Sequence, residues 1–136
     1  MSELNKIALK ILSNGKGILA ADESNGTMTK RLDSVNIESS PETRLLFRET
    51  LFAAKSMKDC IGGVILYDET INQTSNLGKT IPSMISETGA VPGIKVDTGA
   101  KDLANSLDEK ITEGLDGLRE RLKKYYELGA RFTKWR

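Results

Sequence analysis

The chain has 136 residues, with 20 basic and 19 acidic side chains, a formal net charge of +1 and no histidine. This charge balance gives no electrostatic reason to expect a nucleic-acid or membrane partner, and the absence of imidazole excludes Ser-His-Asp chemistry and the usual zinc sites. The length suits one domain with a hydrophobic core, so we predict a single domain over residues 1–136. The sequence has a single cysteine, Cys60, and no signal-peptide features. No apolar run approaches the ~20 residues of a membrane span. These features favour a cytoplasmic protein.

The first elements predicted are an amphipathic helix and a short buried strand. Apolar side chains recur at helical spacing over residues 3–13 and predict the helix. The stretch GILAA, residues 17–21, is small and apolar, which is typical of a buried strand. We expect a turn over residues 22–26 and a short helix over residues 27–35.

The next helix carries a sequence signature at its start. Ser39 and Glu42 have the spacing of a capping box, in which the two side chains bond to each other's backbone. A helix over about 41–56 is therefore predicted, with Phe47 and Leu51 on one face.

A second and a third strand follow this helix. The stretch IGGVILY, residues 61–67, is the second buried strand, and we expect the preceding Cys60 to be a small buried hydrophobic residue. Two short helices are predicted over residues 68–75 and 80–87. The stretch VPGIKVD, residues 91–97, is the third strand.

The last third of the chain contains a loop, a helix and a fourth strand. Residues 98–113 are polar and indicate a loop. Leucines at helical spacing predict a helix over residues 114–128. The stretch RFTKWR, residues 131–136, is predicted to be a buried strand. Strands and helices thus alternate. Because the strands are continuous apolar runs, the pattern favours a parallel α/β sheet with both faces covered.

Charged side chains follow the predicted strands at their carboxyl ends. Asp22 follows the first strand, Lys95 and Asp97 end the third, and Lys134 and Arg136 lie on one side of the fourth. Ligands of parallel α/β proteins bind at this end of the sheet, so the cluster predicts a site for an anion such as phosphate. A lysine near other cations can also have a lowered pKa and act as a nucleophile or proton carrier. For each residue taken singly, the alternative is a solvated charge or an ion pair within the sheet.

Other polar residues have equally plain structural explanations. Ser24, Asn25 and Thr27 can cap the helix that follows them, although a helix N-terminus also binds anions. Asp68 and Glu69 are typical of residues at the start of a helix. The glycines after Cys60 lack the spacing of a nucleotide-binding fingerprint and more simply permit close packing.

Five stretches resemble the class I fructose-bisphosphate aldolase family, in order and in spacing. They are GKGILAADES (15–24), CIGGVILYDET (60–70), GIKVDTG (93–99), TEGLDGLRERL (112–122) and FTKWR (132–136). The resemblance implies a (β/α)8 TIM barrel that cleaves fructose 1,6-bisphosphate, a step of glycolysis and gluconeogenesis, to dihydroxyacetone phosphate and glyceraldehyde 3-phosphate. It also implies a phosphorylated sugar as the substrate, no metal or other cofactor, and a lysine that forms a Schiff base with the substrate ketone.

The resemblance also implies roles for particular residues. Asp22 matches an active-site aspartate beside the Schiff-base lysine, and Lys134 matches a catalytic lysine that stabilises charge near the bond being cleaved. Asp97 belongs to a matched motif and has a supporting role. The family often has serine at the position of Thr27. The positions that match substrate and phosphate contacts are Ser24, Thr27, Lys95 and Arg136.

The family barrel has eight strands, and this sequence predicts four. The family's Schiff-base lysine lies on the sixth strand, so we expect a half barrel that is inactive by itself. On this interpretation RFTKWR closes the sequence because the chain is the N-terminal half of the barrel. The alternative is a non-catalytic half barrel that binds phosphate or assembles with a partner chain through its open sheet edges. Many members of the family are homotetramers, so the parent protein could be a homo-oligomer.

Overall fold

The computed structural model describes residues 1–136, and its elements follow the predicted order. The helices are α1 (Glu3–Leu12), α2 (Asn25–Asp33), α3 (Pro41–Phe52), α4 (Met57–Cys60), α5 (Asp68–Ile71), α6 (Ile81–Glu87) and α7 (Leu118–Glu127). The strands are β1 (Gly17–Ala21), β2 (Ile61–Leu66), β3 (Val91–Lys95), β4 (Gly99–Asp102), β5 (Lys110–Glu113) and β6 (Phe132–Lys134). No helix has the length and apolar character that crossing a bilayer requires.

Four of the strands form one parallel sheet in the order β1-β2-β3-β6. The predicted parallel α/β fold is therefore confirmed. The register aligns Ala20, Ile65, Gly93 and Phe132 in a row across the sheet. Because side chains alternate along each strand, residues two positions further on share this face at the carboxyl ends of the strands.

Helices cover one face of the sheet. Its alternate residues and the helices above them form a single buried cluster that includes Val64, Leu66, Ile94, Val96, Phe52, Ile71, Ile81 and Ile85. On the other face, Ile18 is 47% exposed and Ala20 is also exposed. The prediction of a sheet covered on both faces is therefore wrong at β1, whose alternate side chains have no covering layer.

Glycine is required where other parts of the chain approach β2. A Cβ at Gly62 would lie 1.8 Å from the carbonyl oxygen of Ile11, the last buried residue of α1. A Cβ at Gly63 would lie 3.2 Å from the ring of Phe132. The close packing predicted for this glycine pair is confirmed.

The structure corrects the prediction for α3 in three respects. The capping box joins Ser40 and Thr43, one residue later than the predicted pair, and the helix ends at Phe52. Phe47 and Leu51 are 38% and 39% exposed, whereas the buried residues are Arg44, Arg48, Glu49 and Phe52. The face that the apolar pattern selected thus points largely to solvent, because polar partners elsewhere in the fold receive the two arginines.

Three smaller expectations are also corrected. Cys60 is exposed and donates a hydrogen bond from Sγ to the Ser56 carbonyl, so it is not a buried hydrophobic residue. The segment predicted as a loop contains the antiparallel hairpin of β4 and β5. The last strand covers Phe132–Lys134 only, and Trp135 beyond it is 42% exposed.

Candidate functional site

The register of the sheet brings the predicted charges together at the carboxyl ends of the strands. Lys95 of β3 lies beside Lys134 of β6, two residues beyond the row that contains Gly93 and Phe132. Asp22 follows β1, at the far side of the sheet. Lys134 Nζ donates to Asp22 Oδ2 at 2.6 Å, and this ion pair spans 112 residues of sequence.

The Lys134–Asp22 pair is shielded unequally from water. The Asp22 side chain is 7% exposed and that of Lys134 is 32% exposed. The ammonium beside the buried carboxylate compensates it for part of its lost hydration. The two side chains therefore present a fixed charge pair at the mouth of the site, with the ammonium on the more accessible side.

Asp97 links β3 to the end of β6. Its fully buried carboxylate accepts hydrogen bonds from Lys95 Nζ through Oδ1, from Gly99 N at 3.0 Å and from Arg136 N at 2.7 Å. Burial by itself raises the pKa of the Asp97 carboxyl, but the hydrogen bonds from Lys95 and from the two backbone amides outweigh it and hold this pKa below its ordinary value. Asp97 is thus the anionic centre that fixes Lys95 relative to Arg136.

The turn between β1 and α2 contributes hydroxyl groups. Ser24 is the N-cap of α2, and its Oγ accepts from Thr27 N at 3.3 Å and lies 3.1 Å from Thr27 Oγ1. The predicted capping role is confirmed. Both residues line the same cleft as the charged side chains, and they lie at the N-terminus of this nine-residue helix, where backbone N–H groups favour anions.

A single cleft of about 490 Å³ brings these groups together. Its lining includes all six residues that the sequence predicted for the site, namely Asp22, Ser24, Thr27, Lys95, Lys134 and Arg136. A neighbouring cleft of about 610 Å³ shares Ser24, Lys95, Asp97 and Gly99 with it and extends to α7. The predicted cluster of cations with an aspartate therefore exists in the fold.

Two further charged residues line the cleft and were missed. Glu23 and Arg31 form an ion pair at 2.5 Å between the turn and α2. Helical spacing could have identified Arg31, because it lies four residues after Thr27 and so on the same face of α2.

Asp68 and Glu69 begin α5, as predicted, and each also accepts a long-range hydrogen bond. Tyr125 of α7 donates its hydroxyl to Asp68 at 2.8 Å. Burial and this hydrogen bond to a carboxylate raise the pKa of Tyr125 to about 12, so its phenol stays protonated. Glu69 accepts from Arg44, and that bond holds the pKa of Glu69 below its ordinary value against the opposing effect of burial. Both carboxylates therefore tie helices to the site.

No group of three or more acidic, histidine or cysteine side chains converges in a way that could hold a metal ion. The side chains of the cleft are instead cations, carboxylates paired with them, and hydroxyls. Such a set suits an anionic ligand that carries oxygen atoms, since ammonium, guanidinium and hydroxyl groups all donate hydrogen bonds to it.

Comparison with known proteins gives a consistent result. A family model described as class-I fructose-bisphosphate aldolase matches residues 3–136. A probable fructose-bisphosphate aldolase class 1 of Xylella fastidiosa (strain Temecula1) is 50% identical over 136 residues, which are 100% of this chain and 41% of the relative. The cytosolic fructose-bisphosphate aldolase 6 of Arabidopsis thaliana is 51% identical over 134 residues, which are 98% of this chain and 37% of the relative.

A solved structure matches the fold as well. The fructose-bisphosphate aldolase of Plasmodium falciparum, co-crystallised with TRAP and a small-molecule inhibitor, superposes with a TM-score of 0.94 at 45% sequence identity. The superposition covers 98% of this chain and 39% of that protein. The chain thus spans about two fifths of the length of the proteins it matches.

Proposed function

This chain belongs to the class I fructose-bisphosphate aldolase family, and from that premise we propose that it forms part of an enzyme that cleaves fructose 1,6-bisphosphate into dihydroxyacetone phosphate and glyceraldehyde 3-phosphate. One observation carries the proposal: the ion pair between Lys134 and Asp22, with Lys95 beside it, at the carboxyl ends of parallel strands. Active sites of (β/α)8 enzymes are built at this end of the sheet.

Two residues are proposed to take part in the chemistry. Lys134 supplies positive charge near the carbon–carbon bond that breaks, and its ammonium is accessible on one side while Asp22 holds it on the other. Asp22 orients the reacting groups and handles a proton. The geometry supports these roles because a carboxylate 2.6 Å from an ammonium can both fix its position and exchange a proton with it.

Four residues are proposed to bind the substrate phosphates. Ser24 and Thr27 offer hydroxyls at the N-terminus of α2, where backbone N–H groups and the helix dipole also favour an anion. Lys95 at the end of β3 and Arg136 just beyond β6 supply cations. The buried Asp97 compensates part of this positive charge, so the free site is not a dense cluster of unpaired cations.

The architecture proposed is the first half of a (β/α)8 barrel, formed by a single domain over residues 1–136. The helices lie on one face of the sheet, and the exposed Ile18 and Ala20 lie on the other, as expected for strands that face a barrel interior. The Schiff-base lysine of the family belongs to a strand beyond these four. We therefore expect this chain by itself to cleave no substrate. A cytosolic location and a homo-oligomeric parent protein are part of the same proposal, supported by the cytosolic Arabidopsis relative for the location.

The activity test uses a completed barrel. Residues 1–136 are joined to the remaining residues of the Xylella fastidiosa relative, which matches this chain along its whole length. The chimera and the 136-residue chain are assayed for cleavage of fructose 1,6-bisphosphate and for borohydride trapping of an imine with dihydroxyacetone phosphate, with the intact relative as the control. We expect cleavage and trapping in the chimera only.

Two results would contradict the proposal. A folded chimera that cleaves nothing, beside an active control, would show that these four strands do not support aldolase chemistry. Cleavage by the 136-residue chain would mean that a lysine within it forms the imine, and the helper role of Lys134 would then be wrong.

A second candidate function is that of a half barrel that is non-catalytic by itself and assembles with a partner chain. It is favoured by the exposed apolar Ile18 on β1 and by the unpaired outer edges of β1 and β6 in the sheet. Mixing the 136-residue chain with a separately produced remainder of the Xylella relative tests it. Restored cleavage would support assembly of two halves, and two chains that stay apart in size-exclusion chromatography would refute it.

A further inference from the structure

Arg48 is a fully buried guanidinium in a helix that none of the family-like stretches includes. Its side chain is 0% exposed. Burying a charge is costly unless hydrogen bonds and opposite charge compensate it. Arg48 Nη2 donates to the Glu23 carbonyl oxygen at 2.5 Å, and Nη1 donates to Thr70 Oγ1 at 2.7 Å. The Glu23 carboxylate lies 3.5 Å from Nη2.

The backbone contact has a particular location. Glu23 lies between Asp22 and Ser24, in the short connection from β1 to α2. A hydrogen bond to its carbonyl oxygen fixes the plane of the peptide that joins Glu23 to Ser24. The direction of the Ser24 hydroxyl and the first N–H groups of α2 therefore depend on Arg48, although Arg48 does not line the cleft.

A second arginine holds the other end of this connection. Arg44, one helical turn before Arg48, forms a two-bond pair with Glu69, with Nε and Nη2 at 2.8 and 2.6 Å from the carboxylate oxygens. Glu69 Oε1 in turn accepts from Asn25 Nδ2 at 3.3 Å. Asn25 is the first residue of α2. Helix α3 thus reaches both ends of the turn over residues 22–25 through two arginines.

We propose that Arg48 is a positioning residue for the anion-binding turn over residues 22–25, and that it sets how Ser24 and the N-terminus of α2 meet a substrate phosphate. The phosphate part of this statement rests on the proposed function, whereas the ordering of the turn does not. A purely structural ion pair is the alternative. It would require Arg48 only for the stability of the whole fold.

The test compares variants that lose stability for different reasons. Arg48→Met keeps much of the side-chain volume and removes every hydrogen-bond donor. Arg48→Lys keeps the charge but lacks the planar guanidinium that donates in two directions at once. Ile85→Val and Ile85→Ala create graded cavities in the core on α6, and Ile85 does not line the cleft. Urea denaturation identifies the Ile85 variant whose loss of stability matches that of Arg48→Met.

Two readouts are then made on the full chain by nuclear magnetic resonance. Titration with inorganic phosphate, followed at the Ser24 and Thr27 amides, gives a dissociation constant. We expect Arg48→Met to raise it about tenfold, the size of one lost hydrogen bond to a charged group, and the matched Ile85 variant to change it less than about twofold. Amide hydrogen exchange at Thr27 and Met28, whose N–H groups donate to the Ser24 hydroxyl and carbonyl, should accelerate about tenfold in Arg48→Met relative to that variant. Arg48→Lys should restore neither fully.

The outcomes separate the two claims. Equal exchange at Thr27 and Met28 in Arg48→Met and its stability-matched control would overturn the positioning role, and so would full rescue by lysine. If the unsubstituted chain binds no phosphate and the chimera cleaves no substrate, the proposed function fails, while the exchange rates still decide whether Arg48 orders the turn.

Discussion

Replacing Asp97 with asparagine is expected to destabilise the chain by about 2–4 kcal/mol, although the change keeps the shape of the side chain. The carboxylate accepts from Lys95 and Gly99 through Oδ1 and from Arg136 N through Oδ2. An amide has one oxygen. In its better orientation the amide oxygen keeps the hydrogen bonds from Lys95 and Gly99, and the NH2 group points towards Arg136 N. The charge-assisted bond from Arg136 N is then lost, and the buried NH2 group has no acceptor.

The magnitude follows from these losses. A hydrogen bond to a charged group contributes roughly 1.5–3 kcal/mol, and an unsatisfied buried donor costs roughly 1–3 kcal/mol, part of which a small shift can relieve. Urea denaturation followed by circular dichroism measures the change. With a slope of about 2 kcal/mol per molar urea, the midpoint should fall by about 1–2 M.

The same substitution at Asp102 is the control. Asp102 pairs with Lys110 across the β4–β5 hairpin, but its side chain is 81% exposed. Exposed ion pairs contribute about 0–1 kcal/mol, so Asp102→Asn should leave the midpoint nearly unchanged. If Asp97→Asn costs no more than Asp102→Asn, the buried carboxylate does not link β3 to β6, and the explanation of its hydrogen bonds is wrong.

Three more predictions follow from the same structure. Folding lowers the pKa of Asp97, so the stability that its carboxylate contributes is complete above the ordinary aspartate pKa of about 3.9. That contribution is lost as pH falls through the pKa of Asp97 in the folded chain. Urea midpoints measured between pH 2 and 6 should show this loss in the unsubstituted chain and a smaller loss in Asp97→Asn. Gly62→Ala should lower the stability by at least about 1–3 kcal/mol, since its Cβ would overlap the Ile11 carbonyl. The control Gly26→Ala, whose Cβ meets open space in α2, should be neutral or stabilising. Equal urea midpoints for the two variants would contradict the close approach of Ile11 to β2. Lys134→Met in the active chimera should lower kcat at least about 100-fold with the fold retained, and an unchanged kcat would exclude its electrostatic role.

The strands and the composition of the site could be predicted from sequence because they depend on local patterns. The apolar runs over 17–21 and 61–67 predict β1 and β2 within one residue of their observed ends. Once the strands are parallel, their carboxyl ends must lie at one edge of the sheet. The charges that follow them, such as Asp22 and Lys134, were therefore expected to meet, and they do at 2.6 Å.

The tertiary structure decided what the polar residues do. The apolar spacing predicts Phe47 on the buried face of α3, yet the fold buries Arg48 on the other side. The Glu23 carbonyl and Thr70, both distant in sequence, accept hydrogen bonds from the two Nη groups of Arg48. The burial of Asp97 likewise depends on Arg136, 39 residues further along the chain. Hydrophobic periodicity reports only which apolar residues share a face of a helix or strand. It carries no information on which buried charges will find partners, since those partners come together only when the sheet has formed.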